Sequence, residues 1–277
     1  MVPKVAAIND LSGLGKCSLT AAIPVLAAMG VQACPLPTAA LSNQTGFPSY
    51  ACADLSDQME AFADEWQKRG VRFEGVYTGY LCGPGQAAFA ARFLDRFAGP
   101  ETVVLVDPVL GDNGRLYPMF DGEMRDAVGA LARKARVITP NLTEACLLAG
   151  GDYAALRAAP TLEPVWALAE RLAALGPETV VITGVHRGAD ILNLGFDARE
   201  GRRFTAATRR RNGGFSGTGD LLASALCGGL VRGDPAPKAL GRACALLGAA
   251  IAETVADGTD PNEGVAFEHH LHLLWEE

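Results

Sequence analysis

The sequence contains no internal repeat, no low-complexity segment and no stretch with the composition of a linker. These absences favour one domain over several. A length of 277 residues suits one large α/β domain or two small ones, and 49% hydrophobic residues give ample material for a core. We therefore predict a single domain over residues 1–277.

Net positive charge is also lacking, because 24 Lys and Arg residues stand against 31 Asp and Glu residues, a net charge of −7. An acidic surface argues against nucleic acid or an anionic membrane as the main partner. It remains compatible with an anionic ligand, since helix N-termini and metal ions bind phosphate locally.

The seven cysteines are odd in number and form no C-x-x-C pair. Disulfide and zinc frameworks are therefore not expected, and a reducing compartment fits the chain best. The first residues lead directly into a short apolar strand, and we expect no apolar stretch long enough for a signal-peptide core or a membrane span. We predict a cytoplasmic protein with no membrane partner.

Short β-branched runs alternate with longer stretches of helical period over most of the chain. The predicted strands are Lys4–Ile8, Val31–Leu36, Val76–Gly79, Thr102–Asp107, Val137–Thr139 and Thr179–Thr183. The predicted helices are Ser18–Met29, Leu55–Lys68, Gln86–Phe97, Glu123–Lys134, Thr143–Ala149 and Leu162–Leu175. Such alternation produces βαβ units, so we predict a three-layer α/β/α fold with a mostly parallel central sheet.

The last third of the chain departs from this alternation. A hairpin is predicted from Asp190–Phe196 and Arg202–Ala207, followed by helices at Asp220–Val231, Pro237–Val255 and Glu263–Leu274. Doubly wound sheets bind ligands at the carboxyl ends of their strands, so motifs at those ends are the candidates for function.

The sharpest motif is Gly217-Thr218-Gly219-Asp220 at the start of a predicted helix. Two glycines allow a tight turn, and the free N–H groups of a helix N-terminus bind anions. An acid beside that anion could take a proton from an attacking hydroxyl. The alternative is an ordinary glycine turn with Asp220 as the helix cap.

A second motif, Thr139-Pro140-Asn141-Leu142-Thr143-Glu144, follows a predicted strand. Asn141 and Glu144 lie three residues apart and share one side of the first helical turn. An amide and a carboxylate there can hold hydrated Mg²⁺. The alternative is a helix start capped by Thr143 or Asn141, with Glu144 in the first turn.

Two further strand ends carry polar residues. Asp107 closes a strongly apolar strand, where a carboxylate is costly without a partner such as a cation. Asp112 precedes Asn113-Gly114, which is ordinary turn chemistry. Thr183-Gly184 offers a hydroxyl and a bare backbone suited to contact with ATP.

The segment Ser12-Gly13-Leu14-Gly15-Lys16-Cys17 does not satisfy the phosphate-binding P-loop pattern, because the first glycine is missing and Cys17 stands where Ser or Thr is required. We predict instead a glycine turn from the first strand into the first helix, with Asp10 and Ser12 facing the ligand crevice.

These motifs together resemble those of ribokinase-like kinases, and more narrowly of the pyridoxal (vitamin B6) kinases. The resemblance covers essentially the whole chain. It rests on the order and spacing of Ala7-Ile8-Asn9-Asp10, Leu41-Ser42-Asn43-Gln44-Thr45-Gly46, Thr78-Gly79-Tyr80, Asp107-Pro108-Val109-Leu110-Gly111-Asp112, Thr139-Pro140-Asn141 and Gly217-Thr218-Gly219-Asp220.

The resemblance implies an ATP-dependent kinase that uses Mg²⁺, often with a monovalent cation such as K⁺, and that forms a homodimer. Asp220 resembles the catalytic base, with Gly217, Thr218 and Gly219 as the anion hole. The set facing ATP and metal is Asp107, Asp112, Thr139, Asn141, Glu144, Thr183 and Gly184, with Asp107 and Glu144 nearest the metal. The set facing the substrate is Asp10, Ser12, Thr45, Tyr80 and Tyr117.

Two single positions, Asp10 and Gln44, and the run Arg209–Arg211 depart from the family pattern. Asp10 stands where many pyridoxal kinases have a serine, and Gln44 replaces a common histidine. An acid followed by Ser12-Gly13-x-Gly15 also resembles the hydroxymethylpyrimidine kinases, whose activity is the alternative function. A vitamin-binding relative without catalytic activity is the third hypothesis. The run Arg209–Arg211 is either a phosphate clamp or an exposed strand edge.

Overall fold

Nine strands form one central sheet in the computed structural model, which describes residues 1–211 and 214–275, and two shorter strands form a hairpin beside it. The strands are β1 (Lys4–Leu14), β2 (Gln32–Asn43), β3 (Cys52–Asp54), β4 (Gly75–Thr78), β5 (Val103–Val106), β6 (Gly111–Asp112), β7 (Arg115–Leu116), β8 (Val137–Ile138), β9 (Thr179–Arg187), β10 (Asp190–Asp197) and β11 (Arg202–Arg209). The order across the sheet is β11-β10-β9-β8-β5-β4-β1-β2-β3. The six strands from β9 to β2 in this order pair in parallel, whereas β3, β10 and β11 pair antiparallel at the two edges.

Helices cover both faces of this sheet. They are α1 (Ser18–Ala28), α2 (Ser56–Lys68), α3 (Pro84–Phe97), α4 (Gly122–Ala132), α5 (Leu142–Ala149), α6 (Tyr153–Ala158), α7 (Glu163–Ala173), α8 (Thr218–Val231) and α9 (Ala236–Asp257). Helices α1, α8 and α9 pack on one face, and α2, α3, α4, α5 and α7 pack on the other. The predicted three-layer fold is confirmed.

The alternation of side chains along the strands explains why both faces are apolar. In β1, Ala6 and Ile8 enter the core on the α3 side, whereas Val5 and Ala7 enter the core on the α8 side. All four side chains are fully buried. A parallel strand covered on both faces therefore appears in the sequence as a continuous apolar run.

Strand β1 is longer than predicted, so the glycine turn that leads it into α1 begins at Gly15 instead of at Ser12. After an irregularity at Asp10, the strand continues to Leu14 and pairs with β2, with Leu14 opposite Asn43. A Cβ atom on Gly13 would lie 2.9 Å from the carbonyl oxygen of Ser42, so glycine permits this close pairing. The left-handed backbone conformation begins only at Gly15 (φ +96°).

The predicted helix at Glu263–Leu274 is also wrong. The chain there forms two short 3-10 helices, Pro261–Glu263 and Glu268–Leu274. Gly264 separates them with a φ of +86°, a conformation that no α-helix contains.

The expectation that no segment has the length and composition of a membrane span needs correction. Helix α9 has 22 residues, and its most apolar 18-residue window has a mean hydropathy of 1.4. Within the described chain it packs against α8 and β11, and Leu240, Ala243 and Leu246 are fully buried. Its apolar character therefore serves the core of the fold.

Candidate active site

The sheet has a topological switch point between β1 and β4. The chain passes from β1 to β2 on one side and reaches β4 on the other, and both neighbours are parallel to β1. Connections that leave in opposite directions open a crevice at the carboxyl ends of such strands. The crevice lies where the pairing of β1 with β4 ends, at Asn9 and Asp10 within β1 and at Thr78 to Tyr80 at the end of β4.

The N-terminus of α8 faces this crevice with unpaired amide groups. Its N-cap is Gly217, whose left-handed conformation (φ 76°) turns the chain into the helix. Among the described residues, the N–H groups of Thr218, Gly219 and Asp220 donate to no backbone carbonyl. Free donors at the positive end of a helix dipole can bind an anion.

Asp220 is the third residue of α8, so the alternative in which it caps the helix is wrong. Its carboxylate points away from the helix backbone toward the sheet. The Oδ1 atom accepts hydrogen bonds from Asn9 Nδ2 at 3.2 Å and from the Tyr77 hydroxyl at 3.3 Å. Burial raises the pKa of Asp220 to about 6, against the lowering effect of the Ser18 amide and of these two donors.

Asn9 and Tyr77 are functional candidates that the sequence analysis missed. Asn9 is fully buried, and its Oδ1 accepts the backbone amides of Tyr80 at 2.7 Å and Asp10 at 3.0 Å. One side chain thus joins the ends of β1 and β4 to Asp220. For Asn9, the one signal in the sequence is that a polar residue follows the apolar run Val5–Ile8. For Tyr77 the sequence gives no signal, because it resembles any buried residue of β4.

Asp107 and Thr139 lie together at the ends of β5 and β8. The Thr139 hydroxyl donates to Asp107 Oδ1 at 3.0 Å. The other oxygen faces the start of α8, since a Cβ atom on Gly219 would lie 3.8 Å from Asp107 Oδ2. This pair therefore sits beside the N-terminus of α8.

Asn141 and Glu144 form a complete capping box at the start of α5. The Glu144 amide donates to Asn141 Oδ1 at 2.9 Å, and the Asn141 amide donates to Glu144 Oε2 at 2.8 Å. Glu144 Oε1 accepts the amide of Leu110 at 3.1 Å. The capping contacts that the sequence offered are thus present for this pair, and Glu144 additionally holds the segment after β5.

The hairpin β6–β7 is fixed to α5 by the same motif. Asn141 Nδ2 donates to the carbonyl oxygen of Gly111, and the amide of Gly114 donates to the Thr143 hydroxyl, each at 2.9 Å. Asn113 (φ 51°) and Gly114 (φ 80°) form its two-residue turn. Asp112 accepts the amide of Asn113 at 2.7 Å, which is the turn chemistry that its neighbours indicated.

Asp107 and Glu144 are two buried acids with no basic partner in the described chain. Burial raises the pKa of both carboxyl groups; repulsion from Asp220 raises that of Asp107 further, and repulsion from Asp107 raises that of Glu144. A carboxylate pair of this kind is costly unless a cation neutralises it. The described residues contain no cluster of three or more His, Cys, Asp or Glu side chains, so this pair suits only a divalent cation that keeps most of its water ligands.

Thr183 and Gly184 lie in a bulge of β9 next to Asn141. The Thr183 amide donates to the carbonyl of Pro140 at 2.9 Å, and a parallel bridge links Thr183 to Asn141. Gly184 has a left-handed conformation (φ 70°), and its amide donates to Asn193 Oδ1 at 3.2 Å. The bulge leaves both residues beside the Asn141 cap, where ATP contacts were predicted.

The residues predicted to face the substrate lie at the same end of the sheet. The Ser12 hydroxyl donates to Asp10 Oδ2 at 2.8 Å, and burial raises the pKa of Asp10. Tyr80 and Tyr117 both pack near Phe120, with ring centroids 6.0 Å and 6.3 Å from that of its ring. 

Thr45 is exposed, in the turn that follows β2. Arg209, the first residue of the Arg209–Arg211 run, pairs with Asp190 at 3.2 Å on the edge strand β11, and both side chains are exposed. This contact favours the strand-edge interpretation of Arg209.

Comparison with known proteins identifies the family of the chain. The family model for phosphomethylpyrimidine kinase matches residues 17–265. A Bacteroides thetaiotaomicron protein, provisionally named a phosphomethylpyrimidine kinase and crystallised with pyridoxal, is 40% identical, with a TM-score of 0.94 over 99% of this chain and 96% of its own.

Two further relatives represent the two activities. A pyridoxal kinase from Lactobacillus plantarum is 34% identical, with a TM-score of 0.89 over 99% of this chain and 97% of its own. A hydroxymethylpyrimidine/phosphomethylpyrimidine kinase of Rhizobium meliloti is 29% identical and covers 95% of each chain. The chain therefore belongs to the phosphomethylpyrimidine kinase family and is a kinase of the ribokinase-like fold that this family shares with the pyridoxal kinases.

Proposed function

We propose that the protein transfers the γ-phosphoryl group of ATP to the 5′-hydroxymethyl group of pyridoxal, pyridoxine or pyridoxamine. The observation that carries the proposal is the surroundings of Asp220, a carboxylate held by Asn9 and Tyr77 beside the free amides that follow Gly217. A B6 vitamer is favoured because the 40% identical Bacteroides protein was crystallised with pyridoxal.

Asp220 serves as the general base in this proposal. The alcohol oxygen bonds to the γ-phosphorus, its proton passes to the Asp220 carboxylate, and the bond to ADP breaks. The amide groups of Thr218, Gly219 and Asp220 stabilise the charge that develops on the phosphoryl oxygens. With a pKa of about 6, Asp220 is mostly ionised at neutral pH and can accept the proton.

Asp107 and Glu144 would hold Mg²⁺, which neutralises charge on the phosphates when it is bound. Both oxygens of Glu144 already accept backbone amides, so Glu144 would act through the water molecules of the ion. Thr139, Asn141, Thr183, Gly184 and Asp112 would contact ATP. Asp10, Ser12, Thr45, Tyr80 and Tyr117 would contact the alcohol substrate.

Hydroxymethylpyrimidine is the second candidate substrate, favoured by the match to the family model over residues 17–265. The decisive measurement is ATP consumption with pyridoxal, pyridoxine, pyridoxamine and hydroxymethylpyrimidine. We expect the highest kcat/KM with one of the three B6 vitamers. A higher kcat/KM with hydroxymethylpyrimidine would establish the second candidate, and binding without turnover would indicate a vitamin-binding protein.

Tyr77→Phe is expected to shift the acidic limb of the kcat/KM profile to higher pH. The hydroxyl of Tyr77 donates to Asp220 and so stabilises its ionised form. Its removal raises the pKa of Asp220, and a base must be ionised to act. Activity should therefore fall several-fold more at pH 6 than at pH 8, where Asp220 is ionised in both proteins.

The control for this prediction is the same substitution in an Asp220→Asn background, where no carboxylate remains to titrate. Tyr77→Phe should then leave the residual pH dependence unchanged. An acidic limb that does not move in the single variant would show that the Tyr77 hydroxyl has no influence on the base.

Glu144→Gln is expected to raise the Mg²⁺ concentration needed for half-maximal rate. The substitution removes a negative charge that a divalent ion favours. It also replaces one acceptor of the capping box with a donor, so a loss of stability of about 1–2 kcal/mol is expected as well. Mg²⁺ titrations of the initial rate and thermal unfolding measure the two effects separately.

Asp121→Ala is the matched control, because Asp121 caps α4 through the amide of Met124 at 3.0 Å and takes no part in the site. It should lower Tm without changing the Mg²⁺ dependence. If Glu144→Gln behaves in the same way, the role of Glu144 is limited to the capping box.

We also propose a cytoplasmic homodimer, on the resemblance to pyridoxal kinases.

A further inference from the structure

Gln44 is a buried polar residue in the turn that carries Thr45. It follows β2 and is 8% exposed. Its Oε1 accepts the amide of Gly46 at 2.6 Å, so the side chain closes the turn around Thr45. Its Nε2 donates to the carbonyl oxygen of Asn262 at 3.0 Å and to Asn262 Oδ1 at 3.3 Å. Both ends of the amide are therefore used.

Two glycines surround this side chain closely. A Cβ atom on Gly15 would lie 2.7 Å from Gln44 Cγ, and one on Gly46 would lie 2.8 Å from both Gln44 Nε2 and Asn262 Oδ1. The Gln44 amide thus occupies a fixed position between the end of the β1 extension and its own turn. A change in its hydrogen bonds must move the turn, because the space around it is already filled.

The segment around Asn262 also contacts the residue that precedes Gly217. The amide of Ser216, which precedes Gly217, donates to the carbonyl of Pro261 at 3.1 Å. The amide of Lys16 donates to the carbonyl of Glu263, also at 3.1 Å. One 3-10 turn therefore joins the Thr45 turn, the start of α1 and the approach to α8.

We propose that Gln44 is a positioning residue that sets the Thr45 turn relative to the Gly217 turn through Asn262. The inference rests on the proposed function, in which Thr45 contacts the alcohol and the Gly217 turn contacts the phosphoryl group. Gln44 thereby fixes the distance between the two reactants. Small displacements of a reacting group are costly in phosphoryl transfer, since the reaction depends chiefly on positioning.

Gln44→Glu tests this role, because it keeps the oxygen that accepts from Gly46 and loses the donor to Asn262. We expect kcat/KM for pyridoxal to fall about 10–100-fold, whereas KM for ATP and calorimetric affinity for ADP stay unchanged. A purely structural role would instead alter the parameters of both substrates together with Tm. Gln44→His retains a donor and an acceptor and should recover most of the activity.

Asn262→Ala is the second variant, in case Gln44→Glu does not fold. It removes only the 3.3 Å contact and should shift kcat/KM for pyridoxal in the same direction by a smaller factor. Gln58→Glu, an exposed glutamine on α2, is the matched control and should change nothing.

The outcomes separate the two claims. Wild-type protein that phosphorylates none of the B6 vitamers would overturn the proposed function and this inference with it. Wild-type turnover that Gln44→Glu leaves unchanged, or a loss that falls equally on pyridoxal and ATP, would overturn the positioning role alone.

Discussion

We expect Asp220→Asn to lower kcat by about 10²–10⁴-fold, the usual contribution of a general base. The asparagine preserves the size of the side chain and an oxygen that can accept from Asn9 and Tyr77, but it cannot take a proton. ATP affinity should change little, because the amide groups of the α8 N-terminus remain in place. Steady-state kinetics, ADP calorimetry and thermal unfolding on this variant measure the three quantities.

The matched control is Asp57→Asn, which alters another first-turn acid, in α2, on an exposed surface. It should retain full activity. Gly217 is the N-cap of α8, and Asp220 makes no capping hydrogen bond. Asp220→Asn should therefore lower turnover and leave the thermal stability nearly unchanged. Near wild-type turnover of Asp220→Asn would refute the role of Asp220 as the base.

Gly217→Ala is expected to lower both activity and stability. A non-glycine residue at φ 76° costs about 1–2 kcal/mol, and the new Cβ atom would lie 1.9 Å from the carbonyl oxygen of Lys16. The backbone must move to relieve this overlap, and the amide groups that follow then lose their alignment. We expect kcat to fall by about 10²-fold or more, as when a donor to a developing charge is removed.

Gly258→Ala separates the two effects of that substitution. Gly258 caps the end of α9 with a similar left-handed conformation (φ 66°), and beyond its own helix and chain neighbours no atom of the described residues lies within 4 Å of a Cβ built on it. It should lower Tm by a few degrees, at about 2–4 °C per kcal/mol, with no kinetic effect. Equal activity losses in the two variants would mean that the Gly217 turn has no special function.

The sequence predicts the layers of the fold because its signals are local. The buried parallel strands are continuous apolar runs, and the helices between them follow the helical period. Predictions fail where a local pattern is overruled by pairing. Ser12–Leu14 resembles a turn, yet β2 lies alongside and supplies hydrogen bonds that extend β1. Near the C-terminus the predicted α-helix is interrupted at Gly264 (φ +86°), and the residues on either side form short 3-10 helices.

The candidate site likewise combines contacts that are local in the sequence with contacts between distant segments. The capping box of Asn141 and Glu144 spans four residues, so the sequence alone contains it as one of two alternatives. That Glu144 also holds Leu110, and lies close enough to Asp107 to raise its own pKa, depends on the packing of α5 against the end of β5. Such contacts between distant segments leave no pattern in a single sequence.

The sequence by itself determined that a glycine turn leads into a helix with an acid near its start, because backbone conformation and helix polarity are local properties. Only the tertiary structure decided what that acid touches. Asp220 is 211 residues from Asn9 and 143 from Tyr77, and the three meet because β1 and β4 are neighbours at the switch point of the sheet. Strand order arises from the burial of apolar faces over the whole chain, and that order brings the base to its partners.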